Sequence, residues 1–495
     1  MKKVIMIQGT MSNAGKSLIT TGLCRVFRQD GYSVAPFKSQ NMALNSFITE
    51  EGLEMGRTQV VQAEAAGVAP SVLMNPILLK PVTDMGSQVI VNGEVRGNMK
   101  AGEYYEYKRT LTPDIMRAFE TLASRHDIVV IEGAGSPAEI NLKKDDFVNM
   151  GLAKMTDSPV LLVGDIDRGG VFAQLVGTLV LLNNDERDRV KGLIINKFRG
   201  EIELLRPGLA MLEEKAGKPV IGTIPYLSVD IEDEDSLTER FHAKSMNSVI
   251  DIAVVKLPKI SNFTDFMALE ATDGIGVRYV DNAGSLGRPD MVIIPGTKNT
   301  ISDLKWLRQS GLEAAILRLG NEGAIIFGIC GGYQMLGQEI RDEENTEGGG
   351  VIGGLGLLPI STVFFNEKTR LRTTGKITGA EGALSLLNGN AVEGYEIHMG
   401  ISHFTGDTAA LVRKEDGRTD GCAFGNTAGT YLHGFFDSAD CRTALIKALC
   451  GKKGILAPNR AFDFAAYKNE QYNKLADAIR ENLDIGYIYR ILSTT

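Results

Sequence analysis

The sequence predicts an α/β protein of two domains, each a mostly parallel sheet flanked by helices. Three observations predict it. The apolar run Val4-Ile5-Met6-Ile7 enters a glycine loop and then an apolar-periodic helix through about Phe27, as a buried parallel strand and its crossover do. Strand-like runs recur at 128–131, 160–163, 192–195 and 220–225, separated by helix-length segments. A second series opens at Ile250 and continues at 291–294 and 324–327 with similar intervals.

At 495 residues the chain exceeds what one hydrophobic core ordinarily serves. We expect a first domain over 1–229, a connector over 230–248 that is acidic and then mixed, a second domain over 249–445 and a C-terminal helical extension over 446–495. Hydrophobic content of 43% and charged content of 23% are those of a globular protein. A net charge of -8 with no basic run argues against a nucleic-acid partner. No apolar run reaches the length of a membrane span, and Lys2-Lys3 leads straight into a strand, which leaves no room for a signal peptide. The 5 cysteines are scattered and form no Cys-x-x-Cys pair, which suits a reducing compartment and neither disulfides nor zinc. A cytoplasmic enzyme is the expectation.

The first strand's loop, Gly9-Thr10-Met11-Ser12-Asn13-Ala14-Gly15-Lys16-Ser17, has the makeup of a phosphate-binding loop, one residue longer than the usual spacing. Backbone N–H groups along Gly9, Thr10, Asn13, Ala14 and Gly15 and the helix N-terminus would hold an anion. Lys16 would reach the terminal phosphates, and Ser17 would offer its hydroxyl to Mg²⁺. Glu132 ends the strand 128–131 just before Gly-Ala-Gly, the layout of an acid facing bound Mg²⁺; the alternative is an exposed strand end. Asn196 and Lys197 follow a later strand, where nucleotide-binding folds commonly meet the base, an ordinary polar loop being the alternative. In Pro36-Phe37-Lys38-Ser39-Gln40-Asn41, the lysine and amides would grip a carboxylate or phosphate, a solvated polar loop being the alternative. Asp165 and Arg168 stand in a glycine-containing loop at a strand's C-terminal end, where open parallel sheets bind ligands, and are expected to bind substrate, Arg168 gripping the carboxylate or its phosphorylated form together with Lys38.

In the second series Ile325-Ile326-Phe327-Gly328-Ile329-Cys330-Gly331-Gly332 outlines a nucleophile elbow, with the reactive side chain on a tight strand-to-helix turn among small neighbours. The bland reading of Cys330 is a small buried core residue. An elbow needs a base and an oxyanion site. Backbone N–H groups of Gly296 and Gly331 are candidates for the oxyanion site, and among 5 histidines His433 ranks first as base and His398 second, each on a strand-like run.

Taken in order these motifs resemble the glutamine-dependent cobyric acid synthases of vitamin B12 biosynthesis over nearly the whole chain. The series includes Pro-Phe-Lys-Ser-Gln-Asn-Met, Glu-Gly-Ala-Gly-Ser, Asp-Ile-Asp-Arg-Gly-Gly-Val-Phe, Ile-Ser-Asn-Phe-Thr-Asp-Phe at 260–266, Pro-Gly-Thr-Lys-Asn-Thr, the Cys330 elbow, Tyr-Glu-Ile-His-Met-Gly and Tyr-Leu-His-Gly-Phe-Phe. The resemblance implies a P-loop, dethiobiotin-synthetase-like domain followed by a class I glutamine amidotransferase domain. It implies ATP-driven amidation, with Mg²⁺, of four carboxylates (b, d, e, g) of the corrinoid adenosylcobyrinic acid a,c-diamide, with ammonia taken from L-glutamine. Cys330 and His433 match the family's nucleophile and base.

One departure stands out. Many class I amidotransferases carry glutamate two residues after the histidine, where this chain has Phe435, so the third member of the site is left open, with Glu396 as a conceivable substitute. The nearest rival is the related a,c-diamide synthase. A phosphate-loop ATPase switch would carry an extra lysine where Met11 stands, and a dead amidotransferase fold used for binding would tolerate Phe435.

Overall fold

The computed structural model describes residues 3–83, 86–231, 248–347, 349–457 and 462–494. Most of the expected connector over 230–248 lies outside them. Two compact units divide the chain. One comprises residues 1–43, 54–232 and 465–495, and the other 44–53 and 233–464.

Among the described residues, the first unit holds a six-stranded parallel sheet in the order Val220–Pro225, Val190–Phe198, Val160–Asp165, Lys3–Gly9, Ile128–Glu132, Val34–Phe37. The first strand sits inside the sheet because Val4 to Ile7 are apolar on both faces and buried on both. Its register sets Ile7 beside Glu132, and the neighbouring pair sets Asp165 beside Asn196. The C-terminal strand ends therefore collect the phosphate loop, Glu132, Asp165 and Asn196 on one edge. A smaller sheet, Gln40–Met42, Ile77–Thr83, Gly86–Val91 and Glu94–Lys100, stands beside it in the chain.

Two boundaries differ from expectation. The C-terminal extension does not form a separate element. Helix Ala439–Lys453 stays with the second unit, whereas residues 465–495 complete the core of the first. Leu475, Ile479, Ile488 and Leu492 are buried with Ile5, Ile19 and Leu23, and a Cβ on Gly22 would stand 2.6 Å from Ile479 Cγ1, so the helices close only over a bare backbone. Residues 44–53, expected inside the first domain, leave the first unit and turn back at Gly52, whose φ is 77°, before helix Arg57–Ala66.

The second unit contains a six-stranded sheet, again counted among the described residues, ordered Ile275–Val280, Ile250–Val255, Met291–Ile294, Ile325–Ile329, Thr427–Thr430, Cys422–Phe424. All neighbours are parallel except the last pair. Ile294 pairs with Gly328 and Ile329 with Thr430, so three adjacent strands end together. Long antiparallel strands Ile360–Ile377 and Ala391–Phe404 build a further sheet of this unit. No helix among the described residues is long and apolar enough to cross a membrane.

Candidate active sites

The three strand ends of the second unit carry Gly296, Cys330 and His433 to one place. Cys330 sits at φ 52° and ψ -109° between its strand and helix Gly331–Leu336, a conformation that a non-glycine residue holds only when its surroundings impose it. The imposition is visible at Gly332, where a Cβ would stand 1.9 Å from the Ile294 carbonyl oxygen. At Gly328 it would stand 2.6 Å from Tyr333 N. The Cys330 thiol lies 3.6 Å from the Ile397 carbonyl oxygen, and the residue as a whole is buried.

His433 is buried, and its Nδ1 is 2.7 Å from Asp265 Oδ2, while the other carboxylate oxygen accepts from Gly434 N–H at 3.0 Å. With Nδ1 engaged, Nε2 is the nitrogen available to Cys330. Burial by itself would lower the imidazole's pKa. The charge and hydrogen bond of Asp265, followed by those of Cys330, outweigh it and push the value up to about 10. Gly296 lies against the ring, since a Cβ there would be 3.2 Å from His433 Cε1. Gly331 opens its helix, so its N–H has no acceptor within that helix. The loop after Gly296 is pinned by Asp303, whose Oδ2 accepts from Thr297 Oγ1 at 2.5 Å and from Lys259 N–H at 3.1 Å.

In the first unit Lys16 Nζ donates to the carbonyls of Met11 at 3.0 Å and Gly135 at 3.1 Å, with Asn13 (φ 60°) and Gly15 (φ 101°) turning the loop. Glu132 is 1% exposed, which removes the reading of an exposed strand end. Its Oε1 receives Ser17 Oγ at 2.8 Å and Lys38 Nζ at 2.8 Å, and its Oε2 receives Gln62 Nε2 at 2.5 Å. Hydroxyl and carboxylate oxygens beside a phosphate loop are the donors Mg²⁺ takes together with phosphate and water. Among the described residues no cluster of three or more His, Cys, Asp or Glu side chains offers an all-protein metal cage.

Asn196 Nδ2 donates to the Ala14 carbonyl at 3.0 Å, and Lys197 Nζ reaches Asn13 O at 2.8 Å and Asp165 Oδ2 at 2.9 Å. Asp165 is thus linked through Lys197 to the phosphate loop. Thr10 Oγ1 donates to Gln174 at 3.1 Å, and Gly9 lies against the Lys16 side chain. Gln40 accepts from Tyr104 Oη at 2.5 Å, and Asn41 donates to Gln59 at 3.3 Å. Lys38 and Asn41 are buried, so their stretch is not a solvated loop. Arg168 lies exposed beyond Asp165 and is not drawn into the Glu132 cluster.

Residues 5–237 match the model of the CobQ/CobB/MinD/ParA nucleotide binding domain, and residues 251–441 match that of the CobB/CobQ-like glutamine amidotransferase domain. The chain is 57% identical to a cobyric acid synthase of Lachnoclostridium phytofermentans over 99% of each chain. It is 57% identical to one of Ruminiclostridium cellulolyticum (99% of this chain, 97% of that one) and 52% identical to one of Alkaliphilus metalliredigens (98% and 99%). The chain belongs to the cobyric acid synthase family.

For this member of the family the open third position is answered by geometry. Asp265, from Ile-Ser-Asn-Phe-Thr-Asp-Phe, is the carboxylate on the histidine, and sequence reasoning missed it. The acid in that motif was the available signal, but 168 residues separate it from His433. Glu396 is engaged elsewhere, with His398 Nε2 at 3.5 Å and with Lys414. The second-ranked base, His398, has its Nδ1 on the Gly400 carbonyl at 2.7 Å and its ring stacked on Tyr431 at 3.7 Å. Phe435 is fully buried, 5.1 Å from the Phe327 ring and 5.4 Å from that of Phe436, so core packing occupies the place of the usual glutamate.

Proposed function

We propose that the chain carries out the reaction its family is named for. Ammonia freed from L-glutamine amidates the b, d, e and g carboxylates of adenosylcobyrinic acid a,c-diamide at the expense of ATP. The observation that carries the glutamine half is the Cys330–His433–Asp265 arrangement. Cys330 Sγ attacks the glutamine side-chain carbonyl, and backbone N–H groups of Gly296 and Gly331 hold the oxyanion. His433, kept protonated by Asp265, gives its proton to the departing ammonia, and water then hydrolyses the thioester to glutamate.

In the first unit the phosphate loop and Lys16 hold ATP, and Asn196 and Lys197 meet its base. Ser17 and Glu132 would hold Mg²⁺, which would offset phosphate charge. Lys38, with Gln40 and Asn41, orients the corrinoid carboxylate that attacks the γ-phosphate and releases ADP; ammonia then attacks the acyl carbon of the resulting acyl phosphate and expels phosphate, leaving the amide. The five unpaired cysteines and the need for ATP fit a cytoplasmic setting.

The test compares corrinoid amidation driven by glutamine with that driven by an ammonium salt. Cys330→Ala should lose the first and keep the second. Equal glutamine use by wild type and variant would remove Cys330 from the mechanism.

A further inference from the structure

The excursion Leu44–Leu53 belongs to the unit that carries Cys330, although it lies inside the stretch matched by the nucleotide-binding domain. Asn45 and Ser46 are buried there and meet Asn262 in a reciprocal pair. Asn262 N–H donates to Asn45 Oδ1 at 2.7 Å, and Ser46 N–H donates to Asn262 Oδ1 at 3.0 Å. Asn262 is held at φ 53°, and its carbonyl accepts from Asp265 N–H at 3.1 Å, which opens the short helix Phe263–Phe266. Asparagine takes the left-handed region more readily than most residues, and the two hydrogen bonds from the Asn45–Ser46 pair hold Asn262 there.

The same two residues support the histidine. Tyr395 Oη donates to the Ser46 carbonyl at 3.0 Å, and the Tyr395 ring stacks on His433 with centroids 5.3 Å apart and planes at 22°. Tyr395 and His433 also exchange backbone hydrogen bonds of 2.9 and 3.2 Å. Asn45 and Ser46 thus fasten the segment carrying Asp265 and the strand carrying the partner of His433.

We propose that Asn45 is a positioning residue of glutamine hydrolysis, holding Asn262 in its left-handed turn so that Asp265 meets His433 Nδ1. The Ser46–Tyr395 bond steadies the ring from its face. The proposal rests on the reading of Cys330, His433 and Asp265 as the hydrolytic triad. It makes a chemical distinction. Asn45 Nδ2 has no hydrogen-bond partner among the described residues, so the side chain acts through its Oδ1 acceptor. Aspartate keeps a carbonyl-type oxygen in either charge state, whereas leucine keeps only the shape.

The test uses the full-length enzyme with Asn45→Leu, Asn45→Asp and Tyr395→Phe. Glutamine-driven and ammonia-driven amidation are measured together with the pH profile of Cys330 alkylation by iodoacetamide. Asn45→Leu should lower glutamine-driven kcat by about 100-fold, the scale expected for a misplacement near 1 Å. Glutamine KM and ammonia-driven amidation should stay unchanged, and the alkylation profile should move to higher pH as the imidazolium loses its carboxylate. Asn45→Asp should restore most of the activity, and Tyr395→Phe should fall between. Identical behaviour of the leucine and aspartate variants would overturn the proposal, as would loss of both nitrogen sources in equal proportion. If Cys330→Ala keeps glutamine use, the triad reading itself fails. If Cys330→Ala loses it while Asn45→Leu matches wild type, only the positioning role fails.

Discussion

Asp265 Oδ2 stands 2.7 Å from His433 Nδ1 across 168 residues of sequence, and this one contact supplies the carboxylate that Phe435 does not. Its consequence is a change in the charge of the imidazole. The pKa is pushed up to about 10 from an ordinary 6.5, against the opposing effect of burial.

The sign of the pH effect follows from the direction of that shift. A raised folded-state value means that the ion pair's contribution to stability is complete below 6.5 and is lost as pH rises through about 10. Asp265→Asn should therefore bring the alkaline limb of glutamine-driven kcat down from near 10 toward 6.5. In urea titrations the wild type's stability advantage over the variant should shrink across the same window. Superimposable pH profiles would show that Asp265 does not govern the charge on His433.

Restoring the common glutamate should harm rather than help. Phe435 is packed between Phe327 and Phe436, so Phe435→Glu places an unpaired charge in the core. The expected cost is about 3–5 kcal/mol, read as a lower urea midpoint. The change should also fail to rescue Asp265→Asn; recovered glutaminase activity in the double variant would contradict the core placement.

The elbow should not tolerate a methyl group at Gly332. The Cβ would meet the Ile294 carbonyl at 1.9 Å and that of Pro295 at 2.8 Å, both backbone atoms with little room to yield. Gly332→Ala should cost about 1–3 kcal/mol of stability. Glutamine-driven kcat should drop by about 100-fold while ammonia-driven amidation persists. Calorimetry and the two-nitrogen assay together check this, and wild-type glutamine use would refute it.

Two substitutions separate roles at the phosphate loop. Lys16→Ala should abolish amidation with either nitrogen source, because both need the same activated carboxylate. Glu132→Gln should raise the Mg²⁺ concentration for half-maximal amidation at least about tenfold. An unchanged Mg²⁺ dependence would leave Glu132 as a structural partner of Lys38, Ser17 and Gln62 only.

What could be read without tertiary structure was chemistry confined to one turn. The phosphate loop and the Cys330 elbow each place all their essential atoms within a few consecutive residues, and the apolar runs before them announce buried parallel strands. The alternation of strands and helices carried the two-sheet architecture for the same local reason. The carboxylate for His433 was not legible, because the usual position two residues on holds Phe435 and the acid that meets the ring stands 168 residues away, on the short helix Phe263–Phe266. Nor was the division of the chain. Residues 465–495 read as an extension until Ile479 is seen packed over Gly22, and residues 44–53 read as part of the first domain until Asn45 is seen bonded to Asn262. Sequence alone determined which groups are candidates to react; long-range packing decided which groups hold them, since a hydrogen bond across more than 150 residues leaves no periodic trace in the chain.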